Sequence, residues 1–315
     1  MVPVPRELGM NTNGVEYKAH NPVMGQEVLN LLKNLPPGIV IDSTYGSGAH
    51  FNLIKSQYSK FKLFGLDRDN DAVLSSNNHN YVFKYNFSEL DKFIKDKEIE
   101  NVKCILFDFG VSTHQLMTED RGFSFQYDSI LDMRMDLEQS YSAKEFINSA
   151  SKDELNLVLR NYGEEPHAKR IVERIYESRP VESSKQLSEL IGKAVPSSNP
   201  LMKKKSIRRC FQAIRIHVNN ELDHINEGVL KSIKLVDSGG VVIAISYHSL
   251  EDRLVKKIFH EYSLDCICPR EVPKCVCNVI PLLKLGKPKK IKPKQIEINK
   301  NRKSKSAVLR YAIKL

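Results

Sequence analysis

The sequence predicts an α/β protein in which a parallel sheet is interrupted by a small helical domain. Short apolar runs of strand length alternate with amphipathic segments up to about residue 134. A stretch with helical periodicity alone follows at 135–205, and the alternation resumes at VVIAIS (241–246). Strands separated by helices are typical of a parallel sheet that is covered by helices on both faces.

The sheet domain is predicted to use residues 21–134 and 206–315, after an N-terminal extension at 1–20. Its helices are expected over 23–32, 50–58 and, as one long helix, 211–236. The predicted strands are GIVID (38–42), KLFGLD (62–67), YVFKYNF (81–87), KCILFDFG (103–110) and VVIAIS (241–246). A basic, irregular segment at 284–305 is expected near the C-terminus.

The insertion at 135–205 is predicted to hold three helices, over 151–163, 167–180 and 183–195. Ser151 and Glu154 form the pattern of a capping box at the start of the first one. No strand candidate appears in this stretch, which indicates a small all-helical domain.

Positive charge is concentrated in two places. The net charge of the 315 residues is +10, and the segment 284–305 holds ten Lys or Arg residues against one acid, Glu297. A second basic cluster is KKKSIRR (203–209). Such patches favour a polyanion partner such as nucleic acid, because phosphate contacts release counterions. A solubilising segment is the alternative.

The sequence offers no sign of a membrane or secreted protein. No apolar stretch approaches the roughly 20 residues of a membrane-spanning helix, and the first 18 residues lack the apolar region of a secretory signal. Six cysteines in so long a chain do not indicate a disulfide scaffold, so a reducing compartment is expected. We expect a cytoplasmic location, with the mitochondrial matrix as the alternative.

A glycine loop, DSTYGSGAH (42–50), follows the first strand. Gly46 and Gly48 would allow a ligand to approach the backbone closely. The dinucleotide pattern G-x-G-x-x-G fails, because Phe51 stands at its third glycine position. The loop therefore suits a nucleoside-like ligand that does not rest a pyrophosphate on the helix, and it disfavours a nicotinamide oxidoreductase.

Three further residues stand at the ends of the next predicted strands. Asp67 could accept the two hydroxyl groups of a ribose, Phe87 could cover an adenine ring, and Asp108 ends the fourth strand. Acidic strand ends without a phosphate-binding cation suit S-adenosylmethionine, whose sulfonium and amino groups are positive. Taken alone, an aspartate after a strand is more often a turn former or helix cap, and Phe87 is more often a core residue. Their order at consecutive strand ends predicts a class I, Rossmann-like S-adenosylmethionine-dependent methyltransferase.

The sequence resembles the RsmH (MraW) family of small-subunit ribosomal RNA cytidine N4-methyltransferases, which includes mitochondrial members. The resemblance runs over nearly the whole chain, and its most specific motifs are RGFSFQYDSILDMRMD (121–136) and SYHSLEDRLVK (246–256). The other matching motifs are HNPVM (20–24), DSTYGSGAH (42–50), LDRD (66–69), NFSEL (86–90), FDFGVSTHQL (107–116), YGEEPHAKRI (162–171), FQAIRIHVNNEL (211–222) and KSAVLRYAIKL (305–315).

The resemblance implies a set of cofactor contacts and a substrate. The implied contacts are Gly46, Gly48, Ala49, His50, Asp67, Phe87, Asp108 and Gln115. Ala49 stands where the family usually has a second glycine, which is a small change. The implied acceptor is a decoding-region cytidine, in ribosomal RNA or in the small ribosomal subunit, and the oligomeric state stays open, with a dimer as one option. The alternative is an RNA-binding assembly factor that keeps the cofactor pocket but does little chemistry.

The residue that accepts the cytosine N4 proton is the least determined part of the site. The loop after the fourth strand reads Asp108-Phe-Gly-Val and lacks the proline pair of DNA amino-methyltransferases. The catalytic candidates are Asp108 and His248, which follows the strand VVIAIS; a structural hydrogen bond is the alternative for His248. The nearby Asp252 and Arg253 could likewise be catalytic, or they could form a structural ion pair with each other.

The motif 121–136 links the two predicted domains. Arg121 and Arg134 could contact RNA phosphates, but a buried polar network with Asp128 and Asp132 is the favoured interpretation. The methionines at 133 and 135 are expected to pack in a core.

Four cysteines raise the question of a metal site. Cys266, Cys268, Cys275 and Cys277 could supply four thiolates to Zn²⁺. The C-x-C spacing is, however, tighter than the usual C-x₂₋₄-C, and free thiols are the simpler interpretation. The sequence alone therefore predicts no metal.

Overall fold

The computed structural model describes residues 21–126, 128–269 and 275–315. The predicted N-terminal extension at 1–20 lies outside the described residues. These residues divide into two compact units, one formed by the chain up to Gly110 with Leu222–Leu315, the other by Val111–Glu221.

Seven strands form the sheet of the first unit in the order β3-β2-β1-β4-β5-β7-β6. Their bounds are β1 (Gly38–Asp42), β2 (Phe61–Asp67), β3 (Val82–Lys84), β4 (Val102–Asp108), β5 (Val241–Ser246), β6 (Leu283–Leu285) and β7 (Val308–Lys314). The first five strands pair in parallel, and β7 is antiparallel to both β5 and β6. This order and the reversed strand are those of the class I methyltransferase fold, as predicted.

The helices are α1 (Gly25–Leu32), α2 (Ala49–Gln57), α3 (Asn70–Leu74), α4 (Leu90–Asp96), α5 (Thr113–Met117), α6 (Ala143–Ser149), α7 (Lys152–Asn161), α8 (Ala168–Glu177), α9 (Ser184–Ala194), α10 (Pro200–Val218), α11 (Glu221–Leu235), α12 (Ser249–Glu261) and α13 (Gln295–Lys300). Short 3₁₀ turns occur at Phe87–Glu89, Glu119–Arg121 and Arg302–Ser306. Within the described residues, no helix is both long and apolar enough to span a membrane.

The sheet is buried on both faces because its strands are apolar at nearly every position. Val40, Leu106 and Ile243 pack on one face with residues of α1 and α2. Alternate residues such as Ile41 and Ile105 pack on the other face with α4, α11 and α12. Two layers of helices therefore leave the strand ends as the accessible part of the sheet, which is where this class of fold binds ligands.

The second unit is helical, but it is larger than the predicted insertion at 135–205. Its core contains residues before and after that range, including Leu131, Met133, Ile214 and Val218. The difference arises because the first half of the predicted long helix packs against the helical core instead of the sheet.

The predicted single helix at 211–236 is wrong. It is two helices, α10 and α11, which are separated at Asn219 and Asn220. Asn220 has a φ of +50°, and the Asn219 side chain accepts a hydrogen bond from the Met135 amide and donates one to the Met133 carbonyl. These contacts redirect the chain although both halves keep the helical period.

The expectation of an irregular C-terminal segment is also wrong in part. Residues beyond 283 form β6, α13 and the long strand β7. A further difference is that β3 ends at Lys84, before Asn86 and Glu89 form a capping box around a 3₁₀ turn.

Candidate functional site

The carboxyl ends of β1, β2 and β4 lie side by side, because these three strands are neighbours in one parallel sheet. Each strand ends on an aspartate: Asp42, Asp67 and Asp108. The sheet therefore brings the three carboxyl groups to one edge, as the sequence predicted for Asp67 and Asp108.

The glycine loop turns back over this edge. The Gly46 amide donates to Oδ2 of Asp67 (2.7 Å), and the Gly48 amide donates to the Tyr45 carbonyl (2.7 Å). Gly48 has a φ of +73°, and a Cβ atom placed on it would lie 2.5 Å from the Tyr45 hydroxyl oxygen. Both the backbone conformation and the space thus require glycine. Ala49 is the first residue of α2, and His50 is the second.

Asp67 is held in place by the backbone. Its Oδ1 atom accepts from the Asp69 amide (2.9 Å), while Oδ2 accepts from Gly46. Burial raises the pKa of Asp67 to about 6, although these two amide bonds oppose the rise. Each carboxylate oxygen can accept a second hydrogen bond, so the group keeps capacity for a ligand hydroxyl.

Asp108 is the centre of a polar cluster. Its amide donates to the Thr44 hydroxyl (2.7 Å), and its Oδ1 accepts from the Tyr247 hydroxyl (2.7 Å). Its Oδ2 lies 3.5 Å from Nε2 of His50. Residues from the glycine loop, α2, β4 and the turn after β5 thus meet at this carboxyl group, whose side chain remains 22% exposed.

His50 is buried beneath the glycine loop. Burial lowers the pKa of His50, but the neighbouring carboxyl groups of Asp108 and Asp42 outweigh this effect and leave the pKa raised. The imidazole therefore balances negative charge that the strand ends bring together.

Asp42 is a site residue that the sequence analysis did not assign to the cofactor. Its Oδ1 accepts from the Thr44 amide (3.3 Å), whereas Oδ2 is buried and has no hydrogen-bond partner among the described residues. Burial raises the pKa of Asp42 to about 6, and the His50 charge opposes the rise. A buried acceptor without a partner is costly, so this oxygen indicates that a donor or a cation belongs there.

Phe87 lies in the 3₁₀ turn after β3, beside the end of β4. Its ring makes edge contacts with Phe107 and Phe109, the neighbours of Asp108 in the chain. A Cβ atom on Gly228 would lie 2.7 Å from the Phe87 ring, so α11 approaches the ring closely. The half-buried ring is thus fixed near the acidic edge.

His248 is engaged in the start of α12. Its Nδ1 accepts from the Glu251 amide (3.4 Å), and its Nε2 lies 3.0 Å from Oε1 of the buried Glu251. Glu251 Oε2 in turn accepts from the Tyr247 amide (2.7 Å). These contacts are those of the structural alternative that the sequence left open, and they also orient Tyr247 toward Asp108.

The nearby Asp252 forms an ion pair with Arg310 of β7, through both carboxylate oxygens at 2.6 and 3.0 Å. This contact ties α12 to the antiparallel strand. Asp252 thus has a structural partner that the sequence interpretation, a pair with Arg253, did not foresee.

The remaining predicted residues lie in the helical unit. Gln115 is buried in α5, where its side chain accepts from the Ser112 amide (3.0 Å) in a capping box. Arg134 donates to both carboxylate oxygens of Asp132. Arg121 is buried and donates to the carbonyls of Arg134 and Met135. The contact of Arg134 with Asp132 is that of the predicted polar network, whereas the contacts given for Arg121 are with backbone carbonyls.

Tyr247 and Thr44 were missed by sequence reasoning. The order of the strands alone could have suggested Tyr247, because β5 neighbours β4 and the residue after β5 must then lie beside the end of β4. Nothing in the local sequence distinguishes Thr44 from an ordinary turn residue.

S-adenosylmethionine fits these residues, because it has no phosphate group and its sulfonium and amino groups are positive. The unpartnered Oδ2 of Asp42 and the remaining capacity of Asp67 are acceptors for such a ligand. Asp42, Asp67 and Asp108 are all acidic and end three neighbouring strands, which favours a ligand with positive groups.

Comparison with known proteins gives a family for the chain. The sequence model of the MraW methylase family matches residues 17–315. A protein of Caldicellulosiruptor saccharolyticus named ribosomal RNA small subunit methyltransferase H is 40% identical over 310 residues, which cover 94% of this chain and 99% of that protein. A protein of the same name from Syntrophotalea carbinolica is 41% identical, with 94% and 98% coverage. A solved rRNA methylase from Streptococcus thermophilus matches at a TM-score of 0.40 and 10% identity, with 94% and 98% coverage.

Proposed function

The chain belongs to the MraW methylase family, and on that premise we propose that it transfers a methyl group from S-adenosylmethionine to N4 of a cytidine in small-subunit ribosomal RNA. The observation that supports this function is the acidic strand edge with its unpartnered Asp42 oxygen. The family match favours catalysis over the alternative of an assembly factor with little chemistry, because the relatives that match over nearly the whole chain are named as methyltransferases.

The cofactor would be held by the residues of the sheet edge. Asp67 would accept the ribose hydroxyls, and Phe87 would cover the adenine, while Gly46, Gly48 and Ala49 would let the ligand lie close to the loop. Asp42, His50 and Asp108 would surround the positively charged end. Gln115 stays a proposed member of this set on the strength of the resemblance.

S-adenosylmethionine supplies a methyl group on a positively charged sulfur, which is a good leaving group. The harder requirement concerns the acceptor, because the lone pair of cytosine N4 is conjugated with the ring. The protein must align N4 with the methyl carbon and accept a hydrogen bond from the amino group. As the N4–C bond forms and the C–S bond breaks, one N4 proton must leave.

Asp108 is the proposed acceptor of that hydrogen bond. Its carboxyl group is partly exposed, and the Tyr247 hydroxyl and the Thr44 side chain fix its position. His248 is the second candidate from the sequence, and its contacts with Glu251 support a positioning role through Tyr247 instead.

The RNA partner accounts for the basic patches. A decoding-region base is stacked and must be extruded before its N4 can reach the cofactor, and phosphate contacts from 203–209 and 284–305 would hold the surrounding RNA. We place the protein in the cytoplasm, because its relatives are bacterial and its proposed substrate is ribosomal RNA. The following experiment distinguishes naked RNA from the small subunit as the substrate.

The experiment is methyl transfer with labelled S-adenosylmethionine to small subunits from cells that lack this gene. The expected result is one methyl group per subunit, mapped by nuclease digestion and mass spectrometry to N4 of one cytidine. Naked small-subunit RNA serves as the parallel substrate. Binding of both cofactor and RNA without turnover on either substrate would instead establish the assembly-factor alternative.

A further inference from the structure

The four cysteines of the two C-x-C motifs form one cluster. The Sγ atoms of Cys266, Cys268, Cys275 and Cys277 all lie within 4.8 Å of one another. They come from two segments, one after α12 and one before β6. The C-x-C spacing is tighter than the usual C-x₂₋₄-C, but in the structure the thiols of both motifs come together.

The dimensions of the cluster fit a tetrahedral metal site. With Zn–S bonds of about 2.3 Å, tetrahedral geometry separates the sulfur atoms by about 3.8 Å. The sulfur atoms of Cys275 and Cys277 lie 3.4 Å apart, well beyond the roughly 2.05 Å of a disulfide. All four cysteines are free thiols. One tetrahedral ion thus needs only small shifts of the side chains.

The backbone also points at the sulfur atoms. The Ile267 amide donates to Sγ of Cys277 and the Val276 amide donates to Sγ of Cys268, both at 3.4 Å. The middle residue of each motif therefore donates to the second cysteine of the other motif. Amide donors stabilise a thiolate more than a thiol, because a hydrogen bond to a charged acceptor is stronger.

Hydrophobic burial does not explain why the thiols gather. The middle residues Ile267 and Val276 are 63% and 73% exposed, whereas Cys266, Cys268 and Cys277 are partly buried. Packing alone would turn the isoleucine and valine inward, since burying each stabilises a fold by about 1.5–3 kcal/mol. The opposite orientation is expected when the thiolates are held by a metal ion.

Hydrogen bonds join the two ends of the segment between α12 and β6, which carries the four cysteines. The amides of Leu282 and Leu283 both donate to the Tyr262 carbonyl, at 2.9 and 3.0 Å. The chain thus leaves the end of α12 and returns beside it before entering β6. A metal ion would cross-link this segment, in which Ile267, Val276 and Ile280 are exposed.

We propose that Cys266, Cys268, Cys275 and Cys277 bind one Zn²⁺ ion as a closed structural site. Four Zn–S bonds form, and the protons of the four thiols pass to solvent. With four protein ligands, the ion has no open position and takes no part in methyl transfer. Its role is to stabilise the connection between α12 and the edge strand β6.

The test is metal analysis of the reduced protein after zinc is added and the excess removed. One zinc per chain is expected, together with protection of four thiols that become reactive when a chelator is added. The Co²⁺-loaded protein should show the absorption spectrum of a tetrahedral tetrathiolate site. The double variant C266S/C275S, which removes one ligand from each motif, should lose all of these signals while its sheet unit stays folded by circular dichroism.

The matched control is C210A, which removes a buried cysteine of the helical unit. It should retain one zinc per chain. Absence of stoichiometric zinc in the wild-type protein would overturn the proposal, as would equal zinc content in the wild type and C266S/C275S. A disulfide between cluster cysteines in protein purified under reducing conditions would overturn it too.

Discussion

At the scale of single residues, the main feature of the site is its buried carboxyl groups, whose ionised form is destabilised by burial. Asp42 and Asp67 both have a pKa raised to about 6, in each case mainly by burial. His50 offsets part of this charge, and the loop amides offset another part. Buried carboxylates lower the stability of the protein without a ligand. We therefore interpret them as a binding site for a cationic ligand.

The first prediction concerns Asp42. Because its pKa is higher in the folded protein than the 3.8 of an ordinary aspartate, its contribution to stability is complete below about pH 4 and is lost as the pH rises through 6. D42N removes the charge, so it should be more stable than the wild type at pH 7.5, by up to about 3 kcal/mol from two pKa units, and this advantage should disappear toward pH 4.

Urea unfolding from pH 4 to pH 8 measures this difference. The control is D223N, which neutralises an exposed aspartate of α11 and should leave the curve unchanged. The same D42N protein should bind S-adenosylhomocysteine or S-adenosylmethionine more weakly. A D42N advantage that is equal at pH 4 and pH 8 would contradict the role of the buried charge.

The second prediction concerns the Tyr247 hydroxyl, which donates to Oδ1 of Asp108 at 2.7 Å. Y247F should lower the rate of methyl transfer by about 10- to 100-fold, since a hydrogen bond to a charged group contributes about 1.5–3 kcal/mol. The control is Y85F, which removes a similar tyrosine-to-aspartate bond, to exposed Asp96 at 2.8 Å. Single-turnover kinetics should show the loss for Y247F alone; equal rates in the two variants would exclude Tyr247 from positioning Asp108.

At the scale of elements, the loop between β1 and α2 is the most demanding part of the site. It contains two glycines with positive φ, Gly46 and Gly48, and its Tyr45 side chain forms a hydrogen bond of 2.7 Å with the Ser76 hydroxyl. The loop therefore depends on side chains at some distance in sequence as well as on its own glycines.

G48A tests that dependence. The variant places a Cβ atom 2.5 Å from the Tyr45 hydroxyl oxygen at a φ of +73°, whereas G239A meets no atom within 4 Å at a similar φ of +80°. Backbone strain alone should cost each about 1–2 kcal/mol. G48A should cost more, and it should also weaken cofactor binding at least tenfold in isothermal titration calorimetry, while G239A binds normally. Equal effects in both variants would show that the loop has room to adjust.

The elements also show which parts of the fold a sequence reveals. The strands β1, β2, β4 and β5 were predicted within two residues of their ends, because a strand buried on both faces is a continuous apolar run. β6 and β7 were missed, since their lysines and arginines obscure the pattern and their pairing depends on distant residues. The break between α10 and α11 depends on the contacts of Asn219 with Met133 and Met135, which no local pattern records.

The same distinction applies to the site. Asp67, Phe87 and Asp108 were predictable because strand ends in a parallel sheet share one edge. The contacts of Asp108 with His50 and Tyr247 bring together residues 58 and 139 positions apart in the chain, and only the completed sheet establishes them. The four clustered thiols are a third case, in which the spacing of the motifs argued against a site that the geometry favours.

At the scale of the whole molecule, the basic C-terminal segment is part of the fold. β6 and β7 bound it, Ile291 pairs with Leu309, and Glu297 of α13 accepts from the Met24 amide at 2.7 Å. The lysines between these anchors, including Lys289, Lys290 and Lys292, are exposed. A segment held at several points presents its charges at fixed positions, so its contribution to RNA binding should be specific to those positions.

The last prediction follows from that arrangement. The triple variant K289Q/K290Q/K292Q should bind small-subunit RNA more weakly, and the slope of log affinity against log salt should fall by up to about 2–3, since each phosphate contact contributes about 0.7–0.9. The control K33Q/K95Q/K234Q removes the same charge from exposed lysines on three separate helices or their ends, and it should change the slope by less than one contact. Filter binding from 50 to 300 mM salt measures both. A general electrostatic attraction would weaken the two variants alike, whereas a fixed phosphate-binding surface predicts that only the first loses salt dependence while its cofactor affinity is unchanged.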